Sequence, residues 1–239
     1  MAFPDLRCIV ETGEGQKRHL KRKGRSFDLR YMKYHALRRK WTGDAKARQA
    51  YFEALLPGDL QLPAPDLVVD TVNSQAVWQA LDQWQPELTI CAGTKYIGKT
   101  AIGKAGLMLN LHTGFLPDYK GNHCIFFALY DGEIDKVATA IHKVSPELDG
   151  GMVLEVLHPP LLPDDNEESI YARCAQLAID KSLEHAKRYA AGESLVFTPQ
   201  PEKGRMFRHR DRTPWKEIQL WWRMKMGRVG LPKSETRHS

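Results

Sequence analysis

The chain has 239 residues, of which 42% are hydrophobic and 27% charged, with a formal net charge of +6. This length and composition are typical of one globular domain or of one domain with an appendage. No window approaches the run of about 18 apolar residues that a membrane span needs. The first residues lack the basic start and long apolar run of a secretory signal. Four scattered cysteines without CxxC spacing predict reduced thiols and a cytoplasmic location.

The first part of the chain reads as a strand followed by a basic helical segment. Residues 6–13 are a short apolar run closed by a turn, which is typical of a strand. The spacing of apolar residues predicts helices over 28–41 and 44–56. A Pro-rich connector at 57–66 then leads to a second strand at 67–70.

From there, strands and helices alternate. Asn73-Ser74 is a helix cap, and Val77, Leu81 and Trp84 share one helical face. The later predictions are strands at 86–93, 106–114, 137–144 and 151–159 and helices at 124–132 and 165–193. The last two strands are predicted to be antiparallel or at an edge of the sheet. This order predicts an α/β fold with a Rossmann-like, mostly parallel sheet flanked by helices. In such sheets, ligands bind beyond the carboxyl ends of the strands.

Two segments carry most of the positive charge. Residues 17–40 contain eleven lysines and arginines against one acid, Asp28, and residues 203–228 mix basic residues with Phe207 and three tryptophans. Either segment could contact phosphate on a nucleic acid or on a smaller anion. Neither matches an RNA-binding motif, so solvated basic faces are favoured, and a nucleic acid ranks behind a small ligand as partner.

Three polar residues have the chemistry of a catalytic site. Asn110 and His112 lie two apart on a predicted strand, so their side chains leave the same face, and Asp149 precedes Gly150-Gly151. An amide and an imidazole can stabilise an oxyanion, and the imidazole can move a proton. If Asp149 reached His112, it would favour the imidazolium and orient the ring. Taken alone, a strand-end histidine is about as often structural as catalytic.

The segments "LNLHTGFLPDYKGNH", "ALYDGE", "TAIH" and "ELDGGMVL" occur in this order within residues 86–156. Their order and intervals resemble the folate-dependent formyltransferases, which include glycinamide ribonucleotide transformylase, methionyl-tRNA formyltransferase and the sugar N-formyltransferases. The family pattern runs N-x-H-x-S-L-L-P, a helix ending in A-L-x-x-G, a T-x-x-H strand and D-T/G-G. Gly114 and Phe115 depart from it, because they stand where Ser and Leu are usual.

The resemblance implies a formyltransferase fold and attack by an amine on the formyl carbon of 10-formyltetrahydrofolate. Asn110 and protonated His112 would stabilise the oxyanion, and Asp149 would keep His112 charged and help to shuttle the proton. The implied folate-binding residues are Cys91, Ala92, Gly93, Thr94, His142, Leu148 and Gly150. The histidines 112, 123 and 142 have no zinc-motif spacing, so no metal site is expected.

The resemblance also predicts the domain organisation. Residues 1–193 would form the formyltransferase-like catalytic domain, with its core match at 86–156, and 194–239 a basic, aromatic C-terminal extension. Family members begin with a strand and a Gly/Ser-rich turn, whereas residues 6–13 look like the family's second strand. Either the start is truncated or misassigned, or the sheet is one strand short.

The expected acceptor is a small, phosphorylated amine, with a nucleotide-linked amino sugar first. In glycinamide ribonucleotide transformylase the Gly/Ser-rich turn binds the substrate phosphate, so its absence counts against assignment to that enzyme. Residues 194–239 are too few to form the C-terminal barrel domain of methionyl-tRNA formyltransferase, which counts against that assignment. Two alternatives remain: a non-catalytic relative that binds folate or a nucleotide, and a nucleic-acid-associated protein. The residues leave the oligomeric state open.

Overall fold

The computed structural model describes residues 3, 5–12, 14–55, 63–201 and 204–232. Its helices are α1 (Glu14–Arg22), α2 (Ser26–Thr42), α3 (Asp44–Leu55), α4 (Gln75–Trp84), α5 (Lys99–Lys104), α6 (Cys124–Asp131), α7 (Glu167–Ala190) and α8 (Pro214–Lys225). Its strands are β1 (Ile9–Glu11), β2 (Leu67–Val69), β3 (Leu88–Ala92), β4 (Leu107–His112), β5 (Tyr119–Gly121), β6 (Thr139–Lys143), β7 (Val153–Leu157) and β8 (Arg205–Phe207). Within these ranges, no helix is long and apolar enough to cross a membrane.

Capping residues mark where the predicted helices begin and end. The side chain of Ser74 accepts a hydrogen bond from the backbone N–H of Val77, and α4 begins at the next residue. Asn166 caps α7 in the same way through two backbone N–H groups. Gly132 ends α6 with a positive φ of 78°, a conformation that costs glycine little. Most of the predicted connector, residues 57–62, lies outside the described residues.

The central sheet has four strands in the order β3-β4-β6-β7. β3 and β4 are parallel, whereas β6 is antiparallel to both β4 and β7. Two smaller sheets pair β1 with β2 and β5 with β8, both in parallel. The predicted α/β architecture is therefore confirmed, with three of the five pairings between these strands parallel. The strands predicted at 137–144 and 151–159 form the antiparallel part.

The β1–β2 pair hydrogen-bonds to neither edge of the central sheet within the described ranges. Its inward side chains Ile9, Leu67 and Val69 instead pack in one apolar cluster with Ala101 and Met108.

The C-terminal segment from 204 to 232 packs on the core. β8 pairs with β5, and the ring of Phe207 stacks on Phe127 of α6 with 4.0 Å between centroids. Leu220 of α8 and Val229 are 3% and 4% exposed in the same cluster as Phe126. The segment therefore helps to bury α6, which carries apolar residues on every side.

Candidate active site

The pairing of β4 with β6 places Asn110 directly opposite His142. Their side chains are in contact, with 3.0 Å between Asn110 Nδ2 and His142 Nε2. His142 Nδ1 lies 3.0 Å from the carbonyl oxygen of Lys143, to which it can only donate. In the neutral ring, Nε2 therefore carries the lone pair that accepts from the amide of Asn110.

The carboxylate of Asp149 lies between two imidazoles. Its Oδ2 is 3.6 Å from His112 Nδ1, and its Oδ1 is 3.6 Å from His142 Nε2. The backbone N–H of Gly121 also donates to Oδ2 at 2.8 Å. His112 Nε2 lies 2.8 Å from the carbonyl oxygen of Tyr119, which fixes the orientation of the ring. The three residues Asn110, His112 and Asp149 thus meet as a linked set through His142.

The backbone of Asp149 is held in an unusual conformation. Its φ is 51°, in the left-handed region that non-glycine residues seldom adopt. Gln200 Nε2 lies 2.9 Å from the carbonyl oxygen of Asp149 and 2.6 Å from that of Gly151, and it donates to both. A Cβ at Gly151 would lie 1.7 Å from the carbonyl oxygen of Lys143, so the loop approaches β6 as only glycine allows.

Burial lowers the pKa of His112 below its ordinary value of 6.5, and this effect outweighs the attraction of Asp149. Burial opposes ionisation of Asp149, but the hydrogen bond with His142, the charge of His112 and the Gly121 N–H together hold its pKa at about 2. Burial of His112 therefore opposes the predicted role of Asp149, which is to keep the imidazole protonated.

A cleft of about 420 Å³, part of it open to solvent, lies against this set. Of the catalytic residues predicted from sequence, Asn110 and Asp149 line the cleft, while His112 lies behind Asp149 and is 7% exposed. Of the predicted folate-binding residues, the cleft is lined by Thr94, His142 and Leu148, and not by Cys91, Ala92, Gly93 and Gly150. Cys91 packs instead in the apolar core, where burial raises the pKa of its thiol to about 12.

Gly114 stands where the resemblance has serine, and the structure gives the reason. A Cβ at this position would lie 2.5 Å from His112 Nε2 and 2.7 Å from the Cβ of Cys124. Any larger residue would displace the imidazole from the carbonyl of Tyr119. Glycine at 114 is therefore part of how this chain holds His112.

Two features of the site were not predicted from the sequence. His142, predicted as a folate-binding residue, lines the cleft, and its contact with Asn110 was not predicted. The sequence did not point to Gln200, because its contact with Asp149 joins residues 51 apart in the chain. A lone glutamine carries no local pattern that predicts such a contact. The T-x-x-H strand pattern was the available signal for His142.

Replacing Gln200 by alanine should lower catalytic activity more than stability. The two hydrogen bonds from Gln200 hold the 149–151 loop in the strained conformation of Asp149. Without them the carboxylate would be misplaced, and a misplaced catalytic group lowers the rate strongly. We expect kcat/KM to fall about tenfold or more, with about 1–2 kcal/mol lost in the free energy of unfolding. Steady-state kinetics and urea unfolding measure the two effects, with the exposed Gln83→Ala as control. Unchanged kinetics for Gln200→Ala would contradict the role.

The fold and this site define the class of protein: an α/β protein with a linked amide, imidazole and carboxylate set at the edge of a cleft. A family profile described as Formyl transferase matches residues 37–184. This is more than half of the chain, and the chain therefore belongs to the formyl transferase family.

Individual relatives agree with this assignment. The chain is 36% identical over 95 residues to the phosphoribosylglycinamide formyltransferase of Escherichia coli K12, covering 39% of this chain and 44% of that protein. It is 23% identical over 141 residues to a methionyl-tRNA formyltransferase of Lactococcus lactis, covering 59% of this chain and 44% of that protein. The chain thus matches less than half the length of either relative.

Solved structures share the fold. A sugar N-formyltransferase from a Shewanella species superposes with a TM-score of 0.52 at 20% identity, covering 64% of this chain and 66% of that one. The formyltransferase PseJ from Anoxybacillus kamchatkensis superposes with a TM-score of 0.51 at 20% identity, covering 74% and 85%. The latter was solved with UDP-4,6-dideoxy-4-formamido-L-AltNAc and tetrahydrofolate.

Proposed function

We propose that this protein transfers a formyl group from 10-formyltetrahydrofolate to the amine of a small substrate. The observation that carries the proposal is the shared carboxylate of Asp149, which lies 3.6 Å from both His112 and His142 while Asn110 faces the same cleft. Structural ion pairs do not need an amide donor, two imidazoles and a strained carboxylate at one point. Acyl transfer to an amine needs an oxyanion donor and a proton carrier.

The geometry supports a division of roles. As the amine attacks the formyl carbon, the amide N–H of Asn110 donates to the oxygen on which negative charge develops. The proton that the attacking amine loses passes by way of Asp149, which lines the cleft, to Nδ1 of His112, and ionised Asp149 stabilises the resulting imidazolium. The proton returns to the folate nitrogen as its bond to the formyl carbon breaks, which leaves a formamide and tetrahydrofolate. His142 accepts from the amide of Asn110 and so holds it in place.

The cleft is compatible with the formyl donor. Its lining combines the apolar side chains of Tyr96 and Leu148, which are 55% and 43% exposed, with the polar groups of Thr94 and Ser145. A folate presents a flat ring with a polar edge, and pockets for such ligands pair apolar surface with a few polar groups. When bound, the folate supplies an activated formyl group on a nitrogen that can leave.

The acceptor we favour is a nucleotide-linked amino sugar. The fold shared with sugar N-formyltransferases supports this class, as does Lys95, a cation on the lining of the cleft that could meet phosphate. A second candidate is glycinamide ribonucleotide, favoured by the 36% identity to the E. coli enzyme over 95 residues. A non-catalytic, folate-binding relative is the third.

An assay with purified protein separates these functions. The protein is mixed with 10-formyltetrahydrofolate and a panel of 3-amino and 4-amino nucleotide sugars, glycinamide ribonucleotide and amino acids, and release of tetrahydrofolate is followed by absorbance. We expect amine-dependent release with a sugar nucleotide, reduced about 10²–10³-fold by Asn110→Ala, which removes the oxyanion donor. Release with glycinamide ribonucleotide alone supports the second candidate. Folate binding without release for any amine contradicts formyl transfer and supports the third.

The pH dependence of the reaction follows from the buried His112. A base must be neutral to accept a proton, so the rate should fall as the pH drops through the pKa of His112. Burial lowers that pKa below 6.5, and the acid limb of kcat/KM should therefore lie below pH 6.5. Asp149, with a pKa of about 2, stays ionised throughout the measurable range. A pH–rate profile checks this, and an acid limb above pH 7 would contradict it.

A further inference from the structure

Three histidines from separate parts of the chain meet beside the helical segment. His35 lies on α2, His123 directly precedes α6, and His209 lies in the short turn after β8. Their ring centroids are 4.6 Å apart for His35 and His123, 5.1 Å for His123 and His209, and 5.9 Å for His35 and His209. One ring nitrogen from each lies within 4.8 Å of the others. None of the three takes part in the proposed formyl transfer.

His35 uses one ring nitrogen in a hydrogen bond to the backbone and leaves the other available to bind an ion. Its Nε2 lies 2.8 Å from the carbonyl oxygen of His209, to which the ring must donate. Its Nδ1 therefore carries a lone pair, and this atom is buried without a hydrogen-bond partner among the residues that the structure describes. An unsatisfied buried acceptor is costly, whereas a ligating histidine typically donates its other ring N–H to a backbone carbonyl.

The distances between the rings require little movement to bind an ion. His123 Nε2 and His209 Nδ1 are 3.0 Å apart. Two nitrogens bound tetrahedrally to zinc at 2.0–2.1 Å would be about 3.4 Å apart. The two rings would thus separate by about 0.4 Å, and one nitrogen of His35 already lies within 4.8 Å of both.

Charged side chains surround the three rings. Arg212 donates to His123 Nδ1 at 3.3 Å, and its guanidinium is also paired with Glu167 and Glu217. Arg38 is paired in turn with Glu217 and Asp44. Both guanidiniums are thus paired with carboxylates, and an ion bound at His123 Nε2 would displace the contact between Arg212 and Nδ1.

We propose that His35, His123 and His209 form a binding site for one divalent transition metal ion of the zinc class. Three imidazoles suit zinc and its neighbours, and they leave a fourth position for water. The ion would join α2, the start of α6 and the C-terminal segment, three regions whose meeting no local sequence pattern explains. Bound metal would then stabilise the folded chain in proportion to its affinity.

Metal-free protein, prepared by dialysis against a chelator, would be titrated with Zn²⁺ by calorimetry and followed by thermal unfolding. We expect one equivalent to bind and Tm to rise. Each of His35→Gln, His123→Gln and His209→Gln should weaken binding at least about tenfold, because one of three ligands is lost. His158→Gln, which removes an exposed histidine, should leave binding unchanged.

Folding of each metal-free variant is checked by circular dichroism. His209 is less buried than His35, so its variant keeps the test decisive if His35→Gln does not fold. Zinc uptake no greater than that of an unrelated protein would overturn the proposal. Uptake by all three variants equal to wild type would also overturn it, because the ion would then lie elsewhere, for instance at His112 and Asp149. The readout is metal binding, so its failure would leave the formyl-transfer proposal standing.

Discussion

Asp149→Asn should reduce formyl transfer by about 10²–10⁴-fold while leaving the fold intact. The amide keeps the size of the carboxylate but removes the negative charge that stabilises a protonated His112, 3.6 Å away. The Gly121 N–H, which donates to Oδ2 at 2.8 Å, keeps an acceptor if the amide oxygen takes that position. The loss should fall on kcat, since the charge matters most when the proton moves. Single-turnover kinetics with the sugar-nucleotide acceptor measures this.

The stability of this variant can be anticipated as well. Asp149 has a folded pKa of about 2 against an ordinary value of 3.8, so its ionised form stabilises the fold by about 2 kcal/mol. This stabilisation is present above pH 3.8 and is lost as the pH falls through 2. Thermal unfolding at pH 7 checks that the variant is folded during the assay, and the exposed Asp164→Asn is the matched control. Near-normal turnover in Asp149→Asn would remove the carboxylate from the mechanism.

The largest loss of stability should come from Arg212→Met. Arg212 is 1% exposed, bonds Glu167 and Glu217 through its guanidinium, and lies over the ring of Phe126 with 4.0 Å to the centroid. Methionine would preserve much of the volume but leave both carboxylates without this partner. Breaking a buried ion pair from one side costs about 3–5 kcal/mol. Urea unfolding monitored by tryptophan fluorescence measures the change.

A matched control distinguishes this effect from loss of charge alone. Arg228 lies in the same C-terminal segment and is exposed, so Arg228→Met should change the free energy of unfolding by no more than about 0.5 kcal/mol. A loss below about 1 kcal/mol in Arg212→Met would show that the C-terminal segment contributes little to the fold.

Much of the secondary structure was predictable because its signals are local. The helix predicted at 165–193 is α7, Glu167–Ala190, and its capping by Asn166 follows from the residue type alone. The strand predicted at 106–114 is β4, Leu107–His112, and its alternation correctly placed Asn110 and His112 on one face. The basic segments were harder to interpret: Arg38 and Arg212, one from each, are partners of the same Glu217 inside the protein.

The sequence by itself determined the alternation of strands and helices, the family, and the identity of Asn110, His112 and Asp149 as candidates. These depend on periodicity, caps and the order of short segments, all of which are properties of neighbouring residues. Only the tertiary structure decided that Asp149 lies between two imidazoles, that burial lowers the pKa of His112, and that His35 reaches His209 across 174 residues. Such contacts arise when distant segments pack on a common core, and burial exists only once that core has formed.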